Sequence, residues 1–249
     1  MVSFKHRLPA ILTILTGLTG CSPMNPPSGV LPYPDAEKYT EQAAKRMIRS
    51  SRETLAPVYA PLAEHIADRF RLADREGTGI DLGGGPGTLI LELAVRTQLH
   101  WINADINPYF FPYFYQEAAR RSLGGRVSAV FADAQSLPFR DNLADIITSR
   151  GSLHFWDDQT AAFREIYRVL KPGGVAFIGR GFPETLPLET ARAIRAKQKN
   201  LNYDPAQTAE QLRQIMRFLG IHGYTIYRPQ VDPERKIHYG VWIEIHKPL

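Results

Sequence analysis

One run constrains this chain more than any other: Gly79-Ile80-Asp81-Leu82-Gly83-Gly84-Gly85-Pro86-Gly87-Thr88, continued by Leu89-Ile90-Leu91-Glu92-Leu93-Ala94. An apolar strand end enters a glycine turn, and a helix-periodic apolar segment, expected as a helix over about Thr88–Thr97, leaves it, which is the opening of a strand–turn–helix unit in an α/β sheet. Glycines at positions 83, 85 and 87 turn the backbone tightly and let a ligand approach with no Cβ in the way. The spacing is G-x-G-x-G rather than the dinucleotide G-x-G-x-x-G, because Thr88 stands three residues after Gly85. Asp81, two residues before the first glycine, disfavours a phosphate and suits a ligand that carries positive charge.

The segments that follow place further polar residues at strand ends. A second strand over His100–Asp105 ends in a carboxylate 24 residues after Asp81, the position from which an acid hydrogen-bonds ribose hydroxyls in nucleoside-binding α/β folds. Asp105 and the adjoining Ile106 are therefore placed at the ligand. A third strand over Val127–Phe131 leads to Asp133 and Ala134, whose carboxylate and backbone N–H are expected to meet an adenine amino group and ring nitrogen. A fourth strand from Ala144 opens onto Arg150-Gly-Ser-Leu-His154, beyond its carboxyl end, where Arg150 is expected to pair with a ligand carboxylate. Ammonium and sulfonium charge beside Asp81, together with ribose and adenine positions, make S-adenosylmethionine the expected ligand. From Ala36 to Leu72 the pattern is helical, and Pro57 and Pro61 are expected to break it into at least two pieces; Tyr59, between those prolines, is a further candidate contact, with plain packing as its alternative.

The remaining pattern is a helix over about 159–170, stopped by Pro172-Gly173-Gly174, a fifth strand at Val175–Gly179, and two helices near 186–199 and 205–219. A closing antiparallel strand pair spans 223–228 and 236–246. Six aromatics crowd positions 109–115 around Pro112, which is expected to open a helix; some of these rings are expected to line a pocket or meet a membrane surface, with helix packing as the alternative.

Residues 1–21 carry a basic start, a short apolar run and Leu18-Thr19-Gly20-Cys21, which reads as a signal peptide and resembles a bacterial lipobox. On that resemblance residues 1–20 are removed and Cys21, the only cysteine in the chain, is lipidated, giving a membrane-anchored lipoprotein of the bacterial cell envelope. Without processing the protein would remain at the cytoplasmic face. Five prolines within Ser22–Asp35 make a partly extended tether, so the expected organisation is signal peptide 1–20, lipidated tether 21–38 and one domain over 39–249. The net charge of +5 over 249 residues is modest; losing Lys5 and Arg7 with the signal peptide leaves 28 basic against 25 acidic residues, +3, too little to point to a nucleic-acid partner.

Taken together, Asp81-Leu-Gly-Gly-Gly-Pro-Gly87, Asp105, Ala132-Asp-Ala134 before Leu137-Pro-Phe139, and Phe163-Arg-Glu-Ile-Tyr-Arg-Val-Leu-Lys-Pro-Gly-Gly174 resemble the class I S-adenosylmethionine-dependent methyltransferases over roughly residues 40–249. The resemblance implies a Rossmann-like three-layer sandwich, with a seven-stranded, mostly parallel sheet containing one antiparallel strand. It also implies methyl transfer to a small or membrane-associated acceptor; the alternative is a catalytically silent lipoprotein that binds S-adenosylmethionine or a nucleoside. No metal is expected. In-line transfer from a sulfonium needs no obligatory base. An acceptor that does need one would look to His154 or His238.

Overall fold

Strands buried on both faces signal a sheet sandwiched between helices, and β1 (Thr78–Leu82) and β4 (Ala144–Arg150) are buried along nearly their whole length. The computed structural model describes residues 39–198, 203–229 and 239–249. With β2 (His100–Asp105), β3 (Val127–Phe131), β5 (Leu170–Gly181), β6 (Tyr224–Tyr227) and β7 (Gly240–His246), these strands form one seven-stranded sheet of order β3-β2-β1-β4-β5-β7-β6. The first five strands pair in parallel, and β7 runs antiparallel to both of its neighbours, so one strand is reversed, as expected.

Helices cover the two faces in separate layers. On one face α2 (Ala56–Arg69), α3 (Thr88–Ala94), α4 (Phe111–Arg120) and α6 (Leu188–Lys197) bury Leu62, Ile66, Ile90, Phe114 and Ile194 with Trp101, Phe177 and Trp242 of the sheet. On the other, α5 (Gln159–Val169) and α7 (Pro205–Leu219) bury Phe163, Ile166, Leu212 and Met216 against Ile80, Ile147 and Ile243. Removing such side chains from water is worth about 1.5–3 kcal/mol each, so each face is held by its own apolar layer. Arg69, in the last turn of α2, donates to the buried Glu244 on β7 at 2.6 Å and fixes α2 across the sheet.

Caps set the helix boundaries. Thr40 accepts from the Ala43 N–H at the start of α1 (Glu41–Glu53), and Asp158 and Asp204 do the same for α5 and α7. The strongly polar α1 buries only Ala44 and Ser51, and its Lys45, Arg46, Arg49 and Arg52 face water.

Three boundaries differ from the sequence expectation. Pro57 opens α2 in its first turn, but Pro61 sits inside that helix rather than breaking it. Strand β5 starts at Leu170 and takes in Lys-Pro-Gly-Gly, with a register shift against β4 between Ala144 and Ile146 that absorbs the irregular segment. The first glycine-turn helix stops at Ala94, earlier than position 97. Pro112 does open α4, and Phe110 and Phe114 from the aromatic run pack inward, whereas Tyr109 and Tyr115 are exposed. The Tyr115 hydroxyl accepts from the Ala129 N–H on β3, satisfying a backbone donor on the edge strand. Cys21 and His238 lie outside the described residues. Among the described residues no helix is long and apolar enough to cross a membrane.

Candidate functional site

The strand order reverses direction between β1 and β4, and a crevice opens beyond the carboxyl ends of strands at such a point. The glycine turn fills that position. Gly83, Gly85 and Gly87 have φ of +62°, +55° and +75°, the left-handed region that side-chain-bearing residues rarely adopt. Two of the three are also sites of close approach: a Cβ on Gly83 would lie 2.0 Å from Ser152 Oγ, and one on Gly87 2.1 Å from the Phe114 ring. Around Gly85 only the Phe110 ring comes within 4 Å, at 3.9 Å, so that glycine borders open space.

Register brings a polar row under the turn. Asp81 pairs across the sheet with Asn103 on β2 and Thr148 on β4, three residues on one face. Thr148 Oγ1 donates to Asp81 Oδ1 at 2.8 Å, and Asn103 Nδ2 donates to the Gly85 carbonyl at 3.0 Å. Asn103 Oδ1 is buried without a hydrogen-bond partner among the described residues. The Asp105 carboxylate, one strand over, accepts from the Gly85 N–H and the Asn107 N–H, each at 2.8 Å, and so ties the end of β2 to the turn.

Asp81 and Asp105 are 2% and 6% exposed, and among the described residues neither has an ion-pair partner. Burial pushes the Asp81 carboxyl up to about 7, against the Thr148 hydrogen bond and with the nearby Asp105 adding to the rise. Burial likewise pushes Asp105 up to about 6, opposed by the Asn107 and Gly85 N–H groups. Two desolvated acids and an orphaned carbonyl oxygen make a site that attracts a cation. A lone metal ion finds no cluster of three or more His, Cys, Asp or Glu ligands among the described residues. A positively charged ligand with ribose hydroxyls fits the donor set: cationic charge beside Asp81, hydroxyls on Asp105, and an approach over Gly85.

Helix α1 lies over the same turn. Its Ser51 Oγ, 1% exposed with its residue, meets the Thr88 hydroxyl at 2.6 Å, and the Asn107 side chain donates to the Thr40 carbonyl at 3.3 Å.

The other expected contacts are placed less uniformly. Ile106 follows Asp105 and is half-buried at the end of β2. Asp133 and Ala134 are half-buried beyond β3, but both Asp133 oxygens accept from Gln135, at 2.9 Å from its backbone N–H and at 3.1 and 3.3 Å from its side chain. Tyr59 is a buried residue of α2, and the Arg150 guanidinium stands 5.8 Å from its ring centroid. Arg150 donates weakly to the Gly181 carbonyl, at 3.3 and 3.4 Å. His154 occupies a single 3₁₀ turn, Leu153–Phe155, with its ring 4.0 Å from that of the exposed Phe155; partial desolvation, and then the Arg180 charge, push its pKa down to about 4. Asn103, Thr148 and Ser152 were not legible as site residues, because only strand register and the turn's folding bring them to Asp81 and Gly83. A polar residue within an apolar strand is the one signal that marks Asn103 and Thr148.

A three-layer α/β sandwich with an acid-flanked glycine turn at its switch point is the frame of a nucleoside-binding transferase. Residues 80–178 match the methyltransferase domain family model. A protein of Methanococcus maripaludis, assigned as an S-adenosyl-L-methionine-dependent methyltransferase, has a crystal structure that superposes with a TM-score of 0.73 at 34% identity, covering 85% of this chain and 95% of that one. The chain belongs to the S-adenosylmethionine-dependent methyltransferases. It is also 39% identical over 97 residues to the ubiquinone/menaquinone biosynthesis C-methyltransferase UbiE of Vibrio campbellii, a match spanning 38% of each chain. Phosphoethanolamine N-methyltransferase 2 of Haemonchus contortus, crystallised with S-adenosyl-L-methionine, shares the fold, with a TM-score of 0.61 at 17% identity over 86% of this chain and 59% of that one.

Proposed function

We propose that the protein transfers the methyl group of S-adenosylmethionine to a small or membrane-associated acceptor from a lipid-anchored position. The observation that carries the cofactor half is the pair of buried carboxylates, Asp81 and Asp105, without an ion-pair partner among the described residues and set around a turn of left-handed glycines. When bound, S-adenosylmethionine supplies an electrophilic methyl on a sulfonium. Asp81 balances the ligand's positive charge, Asp105 takes the ribose hydroxyls while keeping Gly85 in place, and Ile106, Asp133 and Ala134 flank the base. Arg150 is assigned the methionine carboxylate, since its hold on Gly181 is long and its donors exceed that one carbonyl.

Positioning of the two reactants supplies the acceleration. His154 is a poor general base for an acceptor proton, because an imidazole whose conjugate acid has a pKa of about 4 takes protons weakly at neutral pH. Calorimetric titration with S-adenosylmethionine tests the reading: saturable 1:1 binding is expected, and no heat at millimolar ligand would sink it. Binding without label transfer to any component of a cell extract would instead leave a silent binding protein.

The anchor rests on Leu18-Thr19-Gly20-Cys21 and the proline-rich residues after it. Each buried acyl CH₂ adds about 0.8 kcal/mol, and more than one chain is needed for stable attachment. Fatty-acid labelling of cells should mark the wild-type protein and leave Cys21→Ala blank; label retained in the variant removes the assignment.

A further inference from the structure

Three arginines within electrostatic reach of one another stand around the carboxyl ends of β4 and β5, with Arg150 on the strand next to the glycine turn. Arg150 ends β4, Arg180 stands next to the end of β5, and Arg195 reaches in from α6. Each faces an aromatic ring: Arg150 lies 5.8 Å from the centroid of Tyr59, Arg180 4.7 Å from Tyr203, and Arg195 4.6 Å from Phe182. All three are half-buried. Among the described residues, neither Arg150 nor Arg180 pairs with a carboxylate, whereas Arg69, Arg75, Arg96, Arg121 and Arg168 elsewhere all do. Arg195 also donates to Gln198 Oε1 at 3.0 Å.

Gathering like charges among half-buried side chains costs free energy that surface arginines avoid. Burial and the Arg150 charge push the Arg180 pKa down, and burial with both neighbours pushes Arg195 down to about 10. An incoming anion would relieve that repulsion, and a guanidinium fork binds a planar or tetrahedral oxyanion with two parallel hydrogen bonds. The half-buried ring of Tyr203 adds a flat apolar wall next to the charges, while the Phe182 ring under Arg195 is fully buried. The strand order places Arg150 between the cofactor turn on β1 and Arg180 on β5, so Arg180 lies one strand farther from the cofactor turn.

We propose that Arg180, flanked by Arg195, is the specificity-determining anion subsite for the methyl acceptor, which carries a carboxylate or phosphate next to a flat apolar body. The assignment rests on the methyltransferase reading above.

Titration of the full chain, saturated with S-adenosylhomocysteine, with benzoate, phenyl phosphate and uncharged benzamide tests it, the first two arms separating carboxylate from phosphate. At least one anion should bind about tenfold or more tighter than benzamide, as expected for one charge-assisted hydrogen bond. Arg180→Gln should erase that preference and leave S-adenosylhomocysteine affinity within about twofold, and Arg180→Lys should restore part of it. Benzamide binding as tightly as both anions, or an anion affinity untouched by Arg180→Gln, would overturn the subsite. An equal loss of S-adenosylhomocysteine affinity in Arg180→Gln would do so too, since Arg180 would then serve the cofactor. Absence of S-adenosylhomocysteine heat in the unsubstituted chain would overturn the methyltransferase reading and the acceptor assignment with it, whereas charge-blind binding beside normal heat overturns the assignment alone.

Discussion

Asp81 is buried where a carboxylate is expensive, and the cost is legible in its pKa of about 7. At neutral pH the free protein must either ionise a desolvated acid next to Asp105 or carry a proton there. By linkage the penalty at pH 8 is at most about 4 kcal/mol. Asp81→Asn keeps an acceptor for the Thr148 hydroxyl and removes the charge. The variant should be more stable than wild type at pH 8, by about 2 kcal/mol, with the gain vanishing near pH 4 where the acid is protonated anyway. It should also lose most S-adenosylmethionine affinity. Chemical denaturation at the two pH values, with a titration alongside, measures both; a variant less stable at pH 8 would mean that Asp81 earns its place structurally.

The turn and its helix, α3, separate two uses of glycine. At Gly87 the backbone is left-handed and a Cβ would enter the Phe114 ring, a fully buried side chain. At Gly85 the conformation is also left-handed, but the surroundings are open. Gly87→Ala should therefore cost several kcal/mol through overpacking added to backbone strain, each term being about 1–3 kcal/mol. Gly85→Ala should cost only the strain, about 1–2 kcal/mol, and still weaken S-adenosylmethionine binding, because its methyl occupies the approach path. Thermal unfolding and titration of the two variants distinguish them; equal destabilisation would contradict the geometry.

At this same scale the sequence was most readable where period and punctuation agree. Strands β2 and β3 begin and end where alternation and flanking turns place them. Strand β5 runs longer than expected because pairing with β4 and β7 recruits Lys-Pro-Gly-Gly into the sheet, and Pro61 is held in α2 by the packing of Leu62 and Ile66. Local propensity cannot foresee either tertiary override. The acids at strand ends were legible for the same reason the strands were. Asn103, Thr148, Arg180 and Arg195 were not, since their meaning lies in register and in distances between elements far apart in the chain.

For the whole molecule, two sets of carboxylates pull stability in opposite directions with pH. Asp145, paired with Lys171 at 2.6 Å and with Arg75, is held below the usual carboxylate range, as are Glu92 by Arg121 and Arg96 and Glu165 by Arg168. Their contribution is present above the ordinary carboxylate pKa of about 4 and is lost as pH falls through their lowered values. Asp81 and Asp105 have the reverse sign: the folded state holds protons that the unfolded chain releases above about pH 4, so their contribution declines as pH rises through about 6 and about 7. The ligand-free protein should thus be most stable in mildly acidic solution and weaken toward pH 8. A cationic ligand reverses the second set, because it favours the ionised acids and must otherwise displace a proton. The rise in melting temperature produced by a fixed excess of S-adenosylmethionine should therefore grow as pH rises from 5 and level off above about 7. Asp81→Asn should flatten that profile, and a shift independent of pH in the wild-type protein would show that the ligand's charge is not met by the buried acids.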